Sequence, residues 1–492
     1  MKTKILSLVL TVMMLSALLS IPAAGAEGVI NFDEDPYEVS IQFVGLFEEN
    51  RNIENVEAAL NEITLKKINC TVDIVPVFIG NLNSTISLGV AGDEKLDVVA
   101  VGLTQRLSSM VSDELLLPLD DLLEERGQAA LEVTANVAAA QKVQGVTYAV
   151  TGYPYAASAG GFVYNKTMAD AWGIDMHDEM TLQEFTEVGR ILKEHDVYLT
   201  THGNSSILTF SFYGGEHFSN GIFGGIKDPV NDTTIENVLS CESMRNYWKE
   251  MKIWFDNGYT PADQLTDTTR GQEYFTQQRI FGMIGAYTIG QLTYWVNPNF
   301  EVGIVRLNRQ IITTENVGEF MLGIASNSER PDKAMDLINL IYSDPDVANL
   351  LQYGVEGTDY VAVEGTENVI TVEGTANEDH NSYFANFVHY GDPMKKKVLT
   401  PLTDSYYDEL IAFENEAQVS KTLGYTFDSQ DFNAESGAIS TILEQKLPQL
   451  NAGQVQDVDA YVAELVNELS KAGMDDAIRA NQEQLDAFLA GK

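Results

Sequence analysis

Apolar residues recur along the N-terminal part of the chain with a period that switches between that of a strand and that of a helix. They alternate with polar residues over 39–43, recur at helical spacing over 56–63 and alternate again over 70–74. A helix-like stretch, 82–90, leads to the largely apolar run 96–101, which is typical of a parallel strand covered on both faces. The pattern predicts β-α-β units that wind into an open sheet, with the ligand crevice at the carboxyl ends of its strands.

A second series of strands and helices follows. Thr181 and Glu184 have the spacing of a capping box, which predicts the start of a helix. Strands are predicted at 281–287, 302–305 and 318–325. With 492 residues, of which 45% are hydrophobic, the chain is too long for one compact domain of ordinary size, so we expect at least two lobes.

Helices dominate the C-terminal part of the pattern. Ser328 is predicted to cap a helix that has Pro331 in its first turn, and Asp344 begins another helix that ends at Gly354. The acidic, glycine-spaced segment 355–379 predicts a small hairpin. The rest of the C-terminal third is predicted to be mostly helical.

The first residues have the composition of a secretion signal. A basic start with Lys2 and Lys4 precedes the apolar run 5–21, and residues 24–26 are Ala-Gly-Ala, a small-x-small cleavage site. Residues 1–26 are therefore predicted to be a signal peptide that is removed; the alternative is an uncleaved membrane anchor. No cysteine lies near the site to carry a lipid, so we expect an exported protein that is extracellular, at the cell surface or in a periplasm.

The chain is strongly acidic, with 72 Asp and Glu against 30 Lys and Arg and a formal net charge of -42. Such a surface repels nucleic acid and anionic membranes, so neither is expected as a partner. Cys70 and Cys241 are expected in different lobes as free thiols, and with six scattered histidines no structural zinc site is predicted. No metal site and no cofactor are predicted.

The strong catalytic signatures are absent from the sequence. It contains no H-E-x-x-H, no G-x-x-x-x-G-K-[ST] and no G-x-S-x-G motif. A glycosidase needs only two suitably spaced carboxylates, which 72 acidic residues could supply, but no pair stands out. The residues therefore favour a binding protein over an enzyme.

Aromatic residues stand where predicted strands end. Tyr153 and Tyr155 follow the strand that ends near Val150, Tyr287 follows the next glycine-rich strand, and Trp295 comes shortly after. Aromatic faces stack on the C–H faces of sugar rings, and neighbouring polar groups fix the orientation of the sugar. Any one of these rings could instead fill the core, which is the role that we expect for Trp172, Trp248 and Trp254.

Three segments resemble the extracellular solute-binding proteins of ABC importers, in the family 1 type that includes many sugar binders. Residues 147–166 resemble the first crossing between lobes, 275–287 the segment that returns to the first lobe, and 323–341 a crossover helix. In the second segment, Gln-Arg at 278–279 and Ala-Tyr at 286–287 replace the Gly-Lys and Pro-Trp of the family pattern.

Three further stretches resemble a subgroup of larger, mostly Gram-positive binders with an extended C-terminal region. They are residues 351–357, 423–428 and 482–489. Gram-positive members usually carry a lipobox cysteine, whose lipid holds the protein at the cell. This sequence has no such cysteine, so the means of attachment is left open.

The resemblance implies an α/β, two-lobed fold of the periplasmic-binding-protein-like type II. Each lobe would be an open, mostly parallel sheet flanked by helices, and hinge crossings would join the lobes. The implied division is lobe 1 at 27–150, lobe 2 at 151–284, a return segment of lobe 1 at 285–327, and lobe 2 with a C-terminal helical extension at 328–492.

The function that the resemblance implies is that of an exported receptor and not of an enzyme. It would capture a carbohydrate, expected to be an oligosaccharide because of the aromatics along the cleft, by hinge closure and deliver it to the permease of an ABC importer. The alternatives are a peptide, polyamine or cofactor precursor in the same fold, or a secreted glycan-active enzyme. The receptor is expected to be a monomer.

The predicted ligand-binding residues lie at strand ends. Tyr287 ranks first, because it takes the place of a sugar-stacking Trp in the family pattern. Tyr153 and Tyr155, which would face the cleft from the first crossing, rank second. Thr104 and Gly45 lie in strand-end loops of lobe 1, and Trp295 completes the set.

Overall fold

The computed structural model describes residues 30–45, 52–203, 205, 210–295, 297, 299–378, 382–383 and 389–491. The predicted signal peptide, residues 1–26, lies outside the described residues and stays a prediction. Within the described residues, no helix is both long and apolar enough to cross a membrane.

The strands of the described residues are short outside the two main sheets. They are β1 Tyr37–Gly45, β2 Cys70–Phe78, β3 Val98–Val101, β4 Lys142–Val143, β5 Val146–Thr147, β6 Ala149–Thr151, β7 Ala159–Asn165, β8 Glu216–His217, β9 Gly225–Ile226, β10 Gly282–Tyr287, β11 Val302–Arg306, β12 Ile311–Ile312, β13 Met321–Ile324, β14 Val361–Ala362, β15 Val369–Thr371, β16 Val398–Leu399 and β17 Gln418–Val419.

The helices are longest at the C-terminal end. They are α1 Ile53–Lys67, α2 Leu82–Ala91, α3 Leu107–Ser112, α4 Asp120–Arg126, α5 Gln128–Thr134, α6 Lys166–Trp172, α7 Leu182–Lys193, α8 Glu242–Asp256, α9 Gly271–Thr276, α10 Thr314–Val317, α11 Pro331–Ser343, α12 Pro345–Tyr353, α13 Tyr406–Glu416, α14 Asn433–Asn451, α15 Val458–Lys471 and α16 Met474–Ala490.

The first lobe is built on a five-stranded sheet with the strand order β2-β1-β3-β13-β6. Strand β1 pairs parallel with β2 and β3, as the periodicity predicts, whereas β13 runs antiparallel to β3 and β6. The four residues of β3 are all buried, because helices cover both faces of the sheet. The apolar faces of α1 and α11 complete this core.

The second lobe contains the sheet β10-β7-β11, in which both pairings are antiparallel. This differs from the mostly parallel sheet that was expected, because periodicity in the sequence identifies a strand but not the direction in which it pairs. Trp248 and Trp254 are fully buried in the core of this lobe, as predicted. Val462 and Leu465 of α15 lie in the same core, so the C-terminal helices complete lobe 2.

Three chain segments, 152–158, 307–313 and 417–424, cross between the lobes. Ser158 of the first pairs with Ile311 of the second, and β12 pairs parallel with β17 of the third. The crossings therefore lie side by side between the two cores, and the two-lobed α/β fold that was predicted is confirmed.

Two of the expected lobe boundaries differ from the structure. The return to lobe 1 was expected at 285, but β10 and β11 both pair with β7, so the chain stays in lobe 2 up to β12. Residues 328–492 were expected in lobe 2, but Leu337 of α11, Val347 of α12 and Phe413 of α13 lie in the core of lobe 1. Local periodicity reveals a strand or helix but not its distant partner, and distant pairing sets both boundaries.

Local signals gave mixed results. The Thr181 capping box is confirmed, since its hydroxyl accepts from the Glu184 N–H at 3.3 Å and its N–H donates to the Glu184 carboxylate at 2.7 Å. The hairpin expected within 355–379 is present as the antiparallel pair β14 and β15. Ser328 does not cap α11, because its hydroxyl donates to the fully buried carboxylate of Asp97.

The two cysteines lie in different lobes. Cys70 is in the core of lobe 1 and Cys241 packs beside the core of lobe 2, and both are free thiols. Burial raises the pKa of Cys70 to about 12. This thiol is therefore inert packing rather than a reactive group.

Candidate functional site

A cavity of about 370 Å³ lies between the two lobes, against the first crossing. Its wall is formed by the crossing (152, 153, 155–158), by the end of β10 and the loop after it in lobe 2 (286, 288–290, 293) and, in lobe 1, by residues 316, 319, 352, 353, 389, 393, 396–399, 402, 406 and 410. A molecule in this cavity touches both lobes, which is the geometry that couples binding to hinge closure.

The start of the first crossing is fixed by contacts with lobe 1. The Thr151 hydroxyl donates to the Val317 carbonyl at 2.6 Å and accepts from the Tyr153 N–H at 2.9 Å. Gly152 lies so close to the His389 backbone that a Cβ there would stand 2.1 Å from the carbonyl oxygen. Only glycine fits this approach, which directs Tyr153 toward the cavity.

The middle of the first crossing is held by a carboxylate of lobe 1. The N–H groups of Ala156 and Ala157 donate to the Glu414 carboxylate on α13, at 3.4 and 2.9 Å. Burial raises the pKa of Glu414, and the two N–H groups act in the opposite direction. Glu414 therefore positions the backbone of the crossing that carries Tyr155.

Polar groups of lobe 1 line the cavity. Glu319 lies just before β13, and no described residue donates a hydrogen bond to its carboxylate. Desolvation and then the nearby Glu315 raise the pKa of Glu319. Lys396 is 6% exposed and donates to the Gln352 Oε1 at 3.2 Å, and burial lowers its pKa to about 7. The cavity thus offers both an acceptor and a donor to a ligand.

Three rings that border the cavity, those of Tyr155, His389 and Tyr406, are neutral at physiological pH. The Tyr153 ring meets the His389 ring edge-on, with 4.9 Å between the centroids. Burial lowers the pKa of His389 to about 3 and raises the pKa of Tyr406 to about 12, and it also raises the pKa of Tyr155. These groups present aromatic faces and uncharged hydrogen-bonding atoms.

The structure places the predicted aromatic residues in three different surroundings. Tyr153 and Tyr155 border the cavity. Tyr287 does not, although Ala286 and Thr288 on either side of it do; its ring packs on Phe413 of lobe 1 with 5.5 Å between centroids. The position of Tyr287 is therefore that of a contact between the lobes.

The other predicted residues lie away from this cavity. Trp295 packs edge-on against Phe275 in lobe 2, with 6.2 Å between centroids. Thr104 is exposed and donates to Asn83 Oδ1 at 2.5 Å. Gly45 is the last residue of β1, and residues 46–51 after it lie outside the described residues. The binding roles of all six predicted residues remain predictions.

Sequence reasoning missed the polar wall of lobe 1. Lys396 stands in a run of three lysines at 395–397, which is unusual in so acidic a chain and is a signal that could have been noticed. Glu319 and Tyr406 carry no comparable signal, because they are distant from the crossing along the chain and lie near it only in the folded protein. Lys396 and Tyr406 were also expected in lobe 2, whereas Glu319 was expected in lobe 1, where the structure has it.

Metal ligands are not grouped in the part of the chain that the structure describes. There, no group of three or more His, Cys, Asp and Glu side chains is placed to hold a metal ion.

Two α/β lobes, three crossings and a cavity between the lobes define a solute-binding protein of the two-lobed class. The family model described as bacterial extracellular solute-binding protein matches residues 54–348, which is more than half of the chain, so the chain belongs to that family. A second family model, described as a domain of unknown function, matches residues 421–490, which include the end of the third crossing and α14 to α16.

Several known proteins are similar over nearly the whole chain. A carbohydrate ABC transporter substrate-binding protein of Streptococcus pneumoniae is 23% identical over 457 residues, covering 90% of this chain and 89% of that protein. The crystal structure of the N-glycan transport solute binding protein NgtS of Streptococcus pneumoniae matches with a TM-score of 0.80 at 22% identity, over 92% of this chain and 99% of that one. An extracellular solute-binding protein of Bifidobacterium longum subsp. infantis matches with a TM-score of 0.62 at 15% identity, over 93% and 99%.

Proposed function

We propose that this protein is the receptor of an ABC importer, and that it captures an oligosaccharide between its lobes and delivers it to the membrane permease. The observation that carries the proposal is the cavity between the lobes, whose wall joins the rings of Tyr153, Tyr155 and Tyr406 to a small number of polar groups. Such walls suit sugars, because rings cover apolar C–H faces while polar atoms bind hydroxyls.

The similar proteins support a carbohydrate ligand. The Streptococcus pneumoniae relative is a carbohydrate ABC transporter substrate-binding protein. Structures of NgtS in complex with Man1GlcNAc and with Man5GlcNAc match this chain with TM-scores of 0.73 and 0.69. The similarity extends over both lobes and the cavity between them. We therefore infer that this chain binds a related class of ligand.

Capture follows from the distribution of the cavity wall. A sugar that contacts Tyr155 on the crossing, Thr293 in lobe 2 and Glu319 in lobe 1 stabilises the arrangement in which the lobes are close. The ligand shifts the open–closed equilibrium only by the difference between its affinities for the two states. Recognition of the closed state by a permease then couples binding to transport. In this proposal the protein is exported and acts as a monomer.

The small number of carboxyl groups in the cavity favours binding without turnover. Hydrolysis of a glycoside generally needs two carboxyl groups that flank the bond. Among the described residues that line the cavity, Glu319 alone carries a carboxyl group. A glycan-active enzyme is therefore the weaker alternative.

A cationic solute is the second candidate, and one observation favours it. The Glu319 carboxylate lies in the same cavity as the rings of Tyr153 and Tyr155, and a carboxylate with aromatic faces is a setting that attracts an amine. Lys396 in the same wall opposes this when it is protonated. A polyamine should therefore bind better above pH 7, where Lys396 loses its proton, than below it.

The proposal is tested by thermal unfolding of residues 27–492 with a panel of oligosaccharides, monosaccharides, peptides and polyamines. An oligosaccharide at about a hundred times its Kd is expected to add about 2.7 kcal/mol to the free energy of unfolding and to raise the Tm. Tyr155→Ala should remove this shift, and Phe32→Ala, which truncates a ring that is 56% exposed outside the cavity, should keep it. A shift with polyamines alone, or with no compound, would contradict the proposal.

A second prediction concerns the acceptor in the cavity wall. Glu319→Gln is expected to weaken oligosaccharide binding about tenfold or more, because hydrogen bonds from hydroxyls to a charged acceptor contribute about 1.5–3 kcal/mol. Isothermal titration calorimetry measures the change, with Glu329→Gln, outside the cavity, as the matched control. Equal affinities of the Glu319 variant and the unmodified protein would remove Glu319 from the site.

A further inference from the structure

A second cavity, of about 730 Å³, lies in lobe 2. Its wall is formed by residues 200–203 and 205, by the segment 265–271 and by Met283 and Ile284 of β10. Gly271 marks how closely the walls approach each other, since a Cβ there would stand 3.5 Å from the Met283 sulfur and 3.8 Å from the Thr201 methyl group. None of the residues predicted from the sequence belongs to this cavity.

The two cavities border the same strand, β10. Side chains two residues apart in a strand point to the same side, so Ile284 and Ala286 share a face of β10. Ile284 borders the lobe 2 cavity, and Ala286 and Thr288 border the cavity between the lobes. With a rise of about 3.3 Å per residue, the two borders lie about 7 Å apart along β10. A ligand of several units is long enough to span this distance.

The part of the lobe 2 cavity wall formed by residues 200–203 and 205 is held in place by hydrogen bonds to a buried side chain. Gln264 is 1% exposed, and its side-chain oxygen accepts from the His202 N–H at 3.1 Å and from the Thr201 hydroxyl at 3.4 Å. Its side-chain nitrogen donates to the Ala452 carbonyl at 3.1 Å, which ties this wall to the end of α14. The wall is therefore organised before a ligand arrives.

The opposite wall carries a fixed carboxylate. Asp267 accepts hydrogen bonds from the Tyr274 hydroxyl and from the Thr269 N–H, the latter at 2.8 Å. These bonds, with the Tyr274 hydroxyl as the largest cause, lower the pKa of Asp267 to about 2, so the group is ionised at physiological pH. An ionised carboxylate can accept about four hydrogen bonds, which leaves positions for a ligand's hydroxyl groups.

Donors stand beside that carboxylate. Arg270 is exposed in the cavity wall and makes no ion pair with a described residue, and Thr268 is exposed as well. A fixed acceptor with several donors matches a ligand that is rich in hydroxyl groups, each of which both donates and accepts. The apolar side chains of Met283 and Ile284 supply a surface for the C–H face of a ring.

We propose that the lobe 2 cavity is a second subsite, which binds further hydroxyl-bearing units of an oligosaccharide whose first units occupy the cavity between the lobes. The proposal rests on the oligosaccharide function proposed above and makes it more specific. The ligand is a chain of several units, and its affinity increases with chain length until both cavities are filled.

The test is a length series. Linear oligosaccharides of glucose, mannose and N-acetylglucosamine, from the disaccharide to the hexasaccharide, are titrated calorimetrically into residues 27–492. In the series that binds, Kd is expected to fall at least about tenfold between the disaccharide and the pentasaccharide, as one charge-assisted hydrogen bond allows. Asp267→Asn and Arg270→Ala are each expected to remove most of this gain while changing the disaccharide Kd less than about twofold. The matched control is Asp263→Asn, an exposed carboxylate outside the cavity wall, which should leave both Kd values unchanged.

A second readout uses the folded protein without a change in the site. The ε-methyl NMR signal of Met283, assigned with Met283→Leu, is expected to shift with the pentasaccharide and not with the disaccharide. Equal Kd values for all lengths, or a Met283 signal that no length moves, would overturn the second subsite and leave the receptor proposal in place. If no oligosaccharide binds the unmodified protein at all, the receptor proposal and the second subsite fail together.

Discussion

Gly152→Ala is expected to cost about 3 kcal/mol of the free energy of unfolding and to abolish ligand binding. The added Cβ would stand 2.1 Å from the His389 carbonyl oxygen and 3.0 Å from the Phe320 ring. A backbone carbonyl cannot move aside as a flexible side chain can, so the first crossing must shift away from lobe 1. That shift carries Tyr153 and Tyr155 with it and deforms the cavity between the lobes.

The matched control for this substitution is Gly437→Ala, the same change in the solvent-facing part of α14. No atom lies within 4 Å of a Cβ at Gly437, and its φ is negative, so alanine should stabilise the helix by about 0.5–1 kcal/mol. Urea unfolding measures both changes. The close packing of the crossing would be disproved by a Gly152 variant that is as stable as the unmodified protein and binds the same ligand.

Lys396→Met is expected to stabilise the protein at pH 6 by roughly 2–4 kcal/mol, and by much less at pH 10. Burial lowers the pKa of Lys396 to about 7, below the value of about 10.4 for an exposed lysine. Between these values the folded state binds fewer protons than the unfolded state, so the stability of the unmodified protein rises as the pH increases. Below pH 7 it carries the full cost of a buried charge, which methionine removes.

The measurement is urea unfolding of both proteins at pH 6, 8 and 10. Lys471→Met, at an exposed position on α15, is the control and should give the same small difference at every pH. A Lys396 variant whose stability differs from the unmodified protein by a constant amount across this range would contradict the buried charge. Because Lys396 borders the ligand cavity, the same variant also tells whether its amine contributes to binding.

Much of the fold could be predicted from the sequence where the signal is local. The strands and helices of the first β-α-β unit, the capping box at Thr181 and the hairpin within 355–379 all follow from neighbouring residues. The lobe boundaries could not be predicted in this way. They depend on the pairing of β10 and β11 with β7 and on the packing of α11 against the first sheet, which join residues that are distant along the chain.

The residues of the candidate site also differ in whether a local sequence signal reveals them. Tyr153 and Tyr155 could be found because they follow a strand in a segment with a recognisable pattern, and they border the cavity. Tyr287 fits the pattern equally well, but its ring packs on Phe413, a residue that no local signal connects with it. The polar wall around Glu319 and Lys396 comes from segments that only the three-dimensional fold brings to the crossing.

The three crossings have a consequence for the order in which the chain folds during synthesis. The core of lobe 1 contains Val39 and also Phe413, and the core of lobe 2 contains Phe162 and also Met474. At about 5–20 residues per second, the early strands wait roughly 20–80 s for the helices that cover them. The core of lobe 1 cannot be complete before Phe413 has been made, and the core of lobe 2 cannot be complete before Met474 has been made.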